Sequence, residues 1–267
     1  MYGIGRKFKQ HFGNLSLSST KRELIRIKNQ PMFKPGYAHV FEKPFKFNDG
    51  KSFYDTYLEI FQNKIYQFIP APDRTVILDC GSNMGLSVLY FAKSYPHHHI
   101  IAFEPDPLIF DILRENVLTF NLQNVTLHNK AVWNKVETLT FFTDQGMGGR
   151  VENSYADQEP TFIDTVALRD FINSQVDFLK MDIEGAEDTV LNHCSDKLGQ
   201  VNNIFFEYHN DVNKEQTLHQ LLELVKSQGF HYYIKESATR SRPFIDKGLI
   251  CETFDMAINV FCYRNKR

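Results

Sequence analysis

Val76-Ile77-Leu78-Asp79-Cys80-Gly81-Ser82-Asn83-Met84-Gly85 is an apolar run that empties into a glycine turn. Apolar side chains at successive positions mark a strand buried on both faces, as in a parallel sheet. The next stretch, Leu86 to Tyr95, is apolar on nearly all sides and stops at Pro96, so it reads as a buried helix. Strand, glycine turn and helix form the opening unit of an open α/β sheet. Outward from this unit, apolar runs alternate with helical patterns. Seven strands are expected: Val76 to Cys80, His99 to Phe103, Val125 to Val132, Asp177 to Met181, Asn203 to Tyr208, Phe230 to Lys235 and Met256 to Tyr263. Asp106 caps a helix that has Pro107 at its first position and places Phe110, Leu113, Val117 and Phe120 on one face. Leu218, Leu221, Leu222 and Val225 form another such face, closed by Gly229.

In such a sheet the ligand pocket lies beyond the carboxyl ends of the strands, and Gly81 and Gly85 would let a ligand approach the backbone. A dinucleotide site would read GxGxxG, whereas here Asp79 stands two residues before the first glycine and Asn83 replaces a small residue. A carboxylate there repels pyrophosphate and suits a cationic ligand; S-adenosylmethionine carries a sulfonium and an amino group. Glu104, at the end of the second strand, can accept hydrogen bonds from both ribose hydroxyls. Each acid alone would pass for an ordinary cap or ion-pair partner; together, with glycines between, they point to a nucleoside-type cofactor.

The 267 residues, 42% hydrophobic and 23% charged, suit one large soluble domain and exclude disorder or a coiled-coil rod. No apolar run approaches the roughly 18 residues of a membrane span, and no secretory signal is legible, so a cytoplasmic protein is expected. Cys80, Cys194, Cys251 and Cys262 show no CxxC pair, which argues against a zinc knuckle or a disulfide framework. The net charge of -2 lacks the basic footprint of a nucleic-acid binder. It is unevenly spread: residues 1–51 hold eleven Lys and Arg against three acids. That stretch reads as a basic, solvated N-terminal extension, with residues 52–267 as the main domain. The domain opens on an amphipathic helix carrying Tyr54, Tyr57, Leu58, Phe61, Ile65 and Phe68. Glu137 to Phe162 breaks the alternation with a strand-like Leu139 to Phe142, then Gly146, Gly148 and Gly149, and is the natural place for a mobile loop on the substrate side.

Asp79-x-Gly81-x-Asn83-x-Gly85, Ala102-Phe103-Glu104-Pro105-Asp106-Pro107, Asn129-Lys130-Ala131-Val132 and Leu179-Lys180-Met181-Asp182-Ile183-Glu184-Gly185-Ala186-Glu187 together resemble the FkbM family of S-adenosylmethionine-dependent methyltransferases. The likeness runs from about Phe47 to Tyr263. It implies a seven-stranded, Rossmann-like class I methyltransferase fold, mostly parallel with the last strand antiparallel, and O-methylation as the usual chemistry. It also implies that Gly81, Asn83 and Gly85 line the methionine end of the cofactor, that Glu104 holds the ribose, and that Ala131 and Val132 offer backbone groups to the adenine.

The fourth strand carries its own reading. Lys180 and Asp182, two apart, point to one side, and Glu184 begins the turn, so three ionisable groups converge at a strand end. Glu187, in the first helical turn, suits capping as well as a site role. Glu207 and His209 end the fifth strand at the same rim. A hydroxyl acceptor must lose its proton, and Asp182, with His209 or Glu207, is the expected base, oriented by Lys180. A metal-dependent variant would use Asp182 and Glu207 as oxygen ligands of a magnesium-type ion, though no metal ligand set is assigned. The expected acceptor is a sugar or surface-glycan precursor, with Tyr155, Tyr208, Tyr232 and Tyr233 near the pocket rim to stack on sugar faces and Arg150 to hold a phosphate or acidic sugar. Secondary-metabolite hydroxyls are the alternative.

Overall fold

The computed structural model describes residues 17–143, 149–151, 161–249 and 253–264. In chain order the elements are α1 (Leu17–Lys28), β1 (Gly36–Ala38), β2 (Phe45–Phe47), α2 (Gly50–Tyr57) with a π-turn (Leu58–Gln62), β3 (Val76–Cys80), α3 (Leu86–Ser94), β4 (His99–Phe103), α4 (Pro107–Thr119), β5 (Val125–His128) and β6 (Ala131–Trp133). There follow β7 (Thr138–Thr143), β8 (Gly149–Val151), β9 (Thr161–Ala167), β10 (Val176–Met181), α5 (Glu187–His193), β11 (Asn203–Asp211), α6 (Leu218–Ser227), β12 (His231–Ala238) and β13 (Phe254–Tyr263).

Seven strands form one sheet in the order β12-β13-β11-β10-β3-β4-β5. The pairs from β11 to β5 are parallel, and β13 runs antiparallel to both of its neighbours. That is the class I methyltransferase fold, with the expected antiparallel last strand. The order reverses after β3, so the carboxyl ends of β3 and β10 flank a topological switch point, where such sheets take ligands. Every residue of β10 is buried, because helices cover both faces there. α4 starts where expected: Asp106 accepts from the Leu108 and Ile109 amides at 2.8 and 3.3 Å, with Pro107 in its first turn.

Two expectations of secondary structure need correction. Val125 to Val132 is two strands in two sheets. The Asn129 side chain donates to the Glu104 and Pro105 carbonyls at 2.9 and 3.0 Å, which pins a turn, and β6 leaves to pair with β9. Leu139 to Phe142 lies in β7, as its strand-like pattern predicts, and β6, β9, β7 and β8 make a four-stranded sheet; the expected mobile loop falls mostly on residues 144–148 and 152–160, with Gly146, Gly148 and Tyr155, which lie outside the described residues. The leading helix ends at Gln62, because the Asn63 amide closes a π-type bond to the Leu58 carbonyl at 2.8 Å and Lys64 takes a positive φ of 55°. Ile65 and Phe68 still pack on the core, but from a loop.

The basic segment up to Lys51 is not a solvated extension where it is described. Leu24, Ile27, Phe45 and Phe47 are buried in one cluster with Phe53, Tyr90 and Leu113. Burial of each contributes roughly 1.5 to 3 kcal/mol, more than a loosely attached tail would gain. Its charges are partly spent on the domain: Lys46 pairs with Glu115 at 2.5 Å and Glu42 with Lys93 at 2.6 Å. No helix among the described residues is long and apolar enough to cross a membrane.

Candidate active site

The turn after β3 is wound by Gly81 at φ 80°, Asn83 at φ 47° and Gly85 at φ 95°. The Gly81 and Ser82 amides both donate to the Phe103 carbonyl, at 3.1 and 2.9 Å, which locks the turn to β4. The glycines face protein. A Cβ on Gly81 would lie 1.8 Å from the Asp182 carbonyl oxygen, and one on Gly85 would lie 2.6 Å from Leu113 Cδ1. Their first service is therefore to let β10 and α4 approach the turn, rather than to make room for a ligand.

Asp79 differs from expectation for a related reason. It is wholly buried, accepts from Ser87 Oγ at 2.6 Å and lies 3.5 Å from Lys180 Nζ, sealed behind the turn. Lys180 also donates to the Gly81 carbonyl at 2.7 Å and lies 3.6 Å from Asp182. Burial opposes its charge, yet Asp79 and Asp182 outweigh that and hold its pKa above the usual lysine value. Lys180 is a staple between the ends of β3 and β10, and it presents Asp182 to the space above.

Glu104 is 7% exposed, with one carboxylate oxygen accepting from the Asn83 amide at 2.8 Å and the other from the Asp106 amide at 3.0 Å. Burial pushes its pKa up to about 7. Ala131 and Val132 are buried in β6, which pairs on one edge with β9 and leaves the other edge open.

The remaining residues converge on a cavity of about 630 Å³ at the carboxyl ends of β3, β10 and β11. Gly81, Asn83, Lys180, Asp182, Glu184, Glu207 and His209 all line it; Asp79, Gly85, Glu104, Ala131 and Val132 do not. One oxygen each of Asp182 and Glu207 and one ring nitrogen of His209 lie within 4.8 Å of one another. Burial pushes Glu184 up to about 8 and, with Asp182 adding to it, Glu207 up to about 7. His209 Nδ1 meets Glu187 at 3.2 Å, and Glu184 lies 3.6 Å from Nε2. Burial works against the imidazolium, but Glu184 and Glu187 outweigh it and raise the histidine pKa. Glu187 also accepts from the Ile183 and Gly185 amides, both at 3.0 Å, so it shapes the loop and holds His209 in place.

Sequence reasoning missed the helix side of this cavity. Asp55, Leu58, Glu59 and Asn63 line it from α2 and the π-turn, with Tyr66 and Phe205 beneath and Phe254 and Asn259 at the far wall. Asp55 and Glu59, four apart, stand out as an acidic pair beside the aromatic face that was read, and that spacing was the available signal. Tyr208 is a core residue at 4% exposure whose hydroxyl serves Asn210 and the Thr217 amide. Tyr232 and Tyr233 are exposed on β12 and do not line the cavity. Tyr155 lies outside the described residues.

Residues 79–232 match the model of the methyltransferase FkbM domain, more than half of the chain. The chain belongs to the FkbM methyltransferase family. It is similar to Methyltransferase 1 of Beauveria bassiana (strain ARSEF 2860), 29% identical over 199 residues that cover 64% of this chain and 78% of the relative. It is also similar to the 2-O-methyltransferase NoeI of Sinorhizobium fredii (strain NBRC 101917 / NGR234), 25% identical over 187 residues, 61% of this chain and 76% of that one. A shorter match, 41% identical over 61 residues, is to Methyltransferase sdnD of Sordaria araneosa, and covers 23% of this chain and 24% of the relative. As an FkbM methyltransferase the chain is an S-adenosylmethionine-dependent enzyme.

Proposed function

We propose that this FkbM methyltransferase transfers the methyl group to a hydroxyl of an unphosphorylated carbohydrate, bound in the acid-lined cavity at the carboxyl ends of β3, β10 and β11. The carrying observation is the meeting of Asp182, Glu207 and His209 within 4.8 Å beside the turn at Gly81 to Asn83. Carboxylates that can accept a proton, set beside the turn, are what a hydroxyl acceptor needs. S-adenosylmethionine, when bound, supplies a methyl group activated by its sulfonium.

Glu104 fits the ribose. Its two amide donors take one site on each oxygen, and each oxygen keeps a lone pair for a ribose hydroxyl. Asn83, whose amide is tied to Glu104, lines the cavity and would meet the methionine end. On the acceptor side, Asp55, Glu59, Asp182 and Glu207 offer acceptors for several hydroxyls. Among the described side chains phosphate finds little: Lys51 is engaged by Asp55 at 3.0 Å, and Lys180 is buried against Asp79, while the Arg150 side chain lies outside them. The named role of NoeI as a 2-O-methyltransferase agrees with a hydroxyl acceptor. Asp182 takes the hydroxyl proton as the new O–C bond forms and the sulfonium S–C bond breaks to leave a neutral thioether; Lys180 orients Asp182, and Glu207 and His209 hold the acceptor oxygen in line.

The Glu104 environment carries a pH dependence. The ionised carboxylate is the better acceptor for the ribose, and with a pKa near 7 the cofactor-free enzyme is largely protonated there below neutrality. Cofactor binding then expels a proton, so affinity should strengthen as pH rises towards about 7 and level off above it. Calorimetry at pH 6 in two buffers of different ionisation enthalpy should show this proton release, and Glu104→Gln should abolish it. Affinity that is flat from pH 6 to 8 would refute the assignment.

The acceptor class is tested with labelled cofactor against neutral glycans, nucleotide sugars, phenols and peptides. Transfer to neutral glycans in preference to nucleotide sugars is expected. Label confined to phenols or peptides would refute the carbohydrate reading.

A further inference from the structure

The geometry points to a divalent metal site formed by Asp182, Glu207 and His209, with Asn259 as a fourth donor, that takes a first-row cation of the Mn2+ type. The inference rests on the methyl-transfer reading for its purpose, but not for its existence.

Three donors from two adjacent strand ends already lie within 4.8 Å of one another. A cation bound at about 2.0 to 2.3 Å from each sets donor separations of up to roughly 4.5 Å, so small side-chain rotations complete the set. The imidazole is presented as metal-binding histidines are. Its side chain is 7% exposed, and Nδ1 is held at 3.2 Å by Glu187, itself 2% exposed. A buried carboxylate on one ring nitrogen fixes the ring and leaves the other nitrogen for a ligand. Nε2 makes no hydrogen bond with any described residue, and its nearest carboxylate oxygen, on Glu184, is 3.6 Å away.

Asn259 supplies an independent observation. It stands opposite Glu207 in the pairing of β11 with β13, lines the same cavity and is 3% exposed. Its Oδ1 is buried with no hydrogen-bond partner among the described residues. Leaving a buried carbonyl oxygen unmet is costly, and a cation at this place would remove that cost. Two carboxylates, one imidazole and one amide oxygen are a mixed oxygen and nitrogen set. Such a set favours Mn2+ and its first-row neighbours over Mg2+, which prefers oxygen alone and holds its waters. Such an ion would be held by Asp182, Glu207, His209 and Asn259, and its Lewis acidity would lower the pKa of the acceptor hydroxyl, whose proton would pass to solvent.

The test uses the full chain stripped with a chelator and titrated with Mn2+, without cofactor or acceptor, followed by loss of the free-ion paramagnetic resonance signal and by calorimetry. One saturable Mn2+ per chain is expected, with Mg2+ weaker. Glu207→Gln and His209→Gln should each weaken it by about tenfold to a hundredfold. Glu223→Gln, an exposed carboxylate of α6 outside the cavity, should leave it unchanged. Circular dichroism verifies folding; if His209→Gln is unfolded, Asn259→Ala takes its place and should also weaken Mn2+. Absence of saturable binding, or equal weakening by Glu223→Gln, overturns the site and leaves the methyl-transfer reading intact. Intact Mn2+ binding in a protein that methylates no hydroxyl sinks that reading and leaves the site.

Discussion

Gly81→Ala should lose more than about 4 kcal/mol of stability and leave little folded enzyme at room temperature. The new Cβ would stand 1.8 Å from the Asp182 backbone oxygen, and backbone cannot swing aside as a side-chain tip can. The φ of 80° adds strain of about 1 to 2 kcal/mol for any residue with a Cβ. Parting the strands would also break the bond from the Asp182 amide to the Cys80 carbonyl, 3.1 Å long, and the hold of Lys180 on the Gly81 carbonyl. Gly85→Ala meets only the tip of Leu113 and should cost less, although its φ is strained as well. Urea unfolding of the cofactor-free proteins compares them. A Gly81→Ala variant as stable as the native chain, deficient only in cofactor binding, would mean that the glycine serves the ligand and not the fold.

Asp182→Asn should lower turnover by about a hundredfold to ten-thousandfold while cofactor affinity changes little. The shape is kept and the ion pair with Lys180 at 3.6 Å is lost, but no hydrogen bond of the turn depends on the Asp182 side chain among the described residues. Single-turnover methyl transfer and cofactor calorimetry separate the two effects. Full activity would remove Asp182 from the reaction; an equal loss of cofactor binding would move it to the cofactor side.

Much of the fold was legible because its strands are apolar runs with clear stops. Val76–Cys80 and His99–Phe103 have the expected limits, since both are buried runs ended by Gly81 and by the acidic pair at Glu104 and Asp106. The break between β5 and β6 was not legible: it depends on Asn129 reaching carbonyls about 25 residues away in sequence. The end of the leading helix was hidden for another reason. Ile65 and Phe68 continue the helical spacing and are drawn to the core, but burial alone does not distinguish a helix from a loop laid on the same surface. The N-terminal segment was misread because charge counting weighs its solvent-facing lysines and passes over Leu24, Ile27, Phe45 and Phe47.

The candidate site divides the same way. Acids at strand ends announce themselves, and Asp182, Glu207 and His209 meet as their positions in β10 and β11 suggest. Asp79 carries the same strand-end signal, yet its register opposite Lys180 across β3 and β10 turns it to that lysine and keeps it out of the cavity. Asp55 and Glu59 belong to a helix whose packing angle no strand pattern encodes.

The central claim is that the acceptor oxygen enters the cavity between the turn at Gly81 to Asn83 and the ends of β10 and β11. It is tested most directly by a crystal structure with the demethylated cofactor and a neutral glycan bound together. One glycan hydroxyl is expected within hydrogen-bonding reach of Asp182 or Glu207, either directly or through a cation, and the cofactor ribose on Glu104. A glycan seated instead against β7 to β9, with the Asp182 and Glu207 carboxylates untouched, would contradict it.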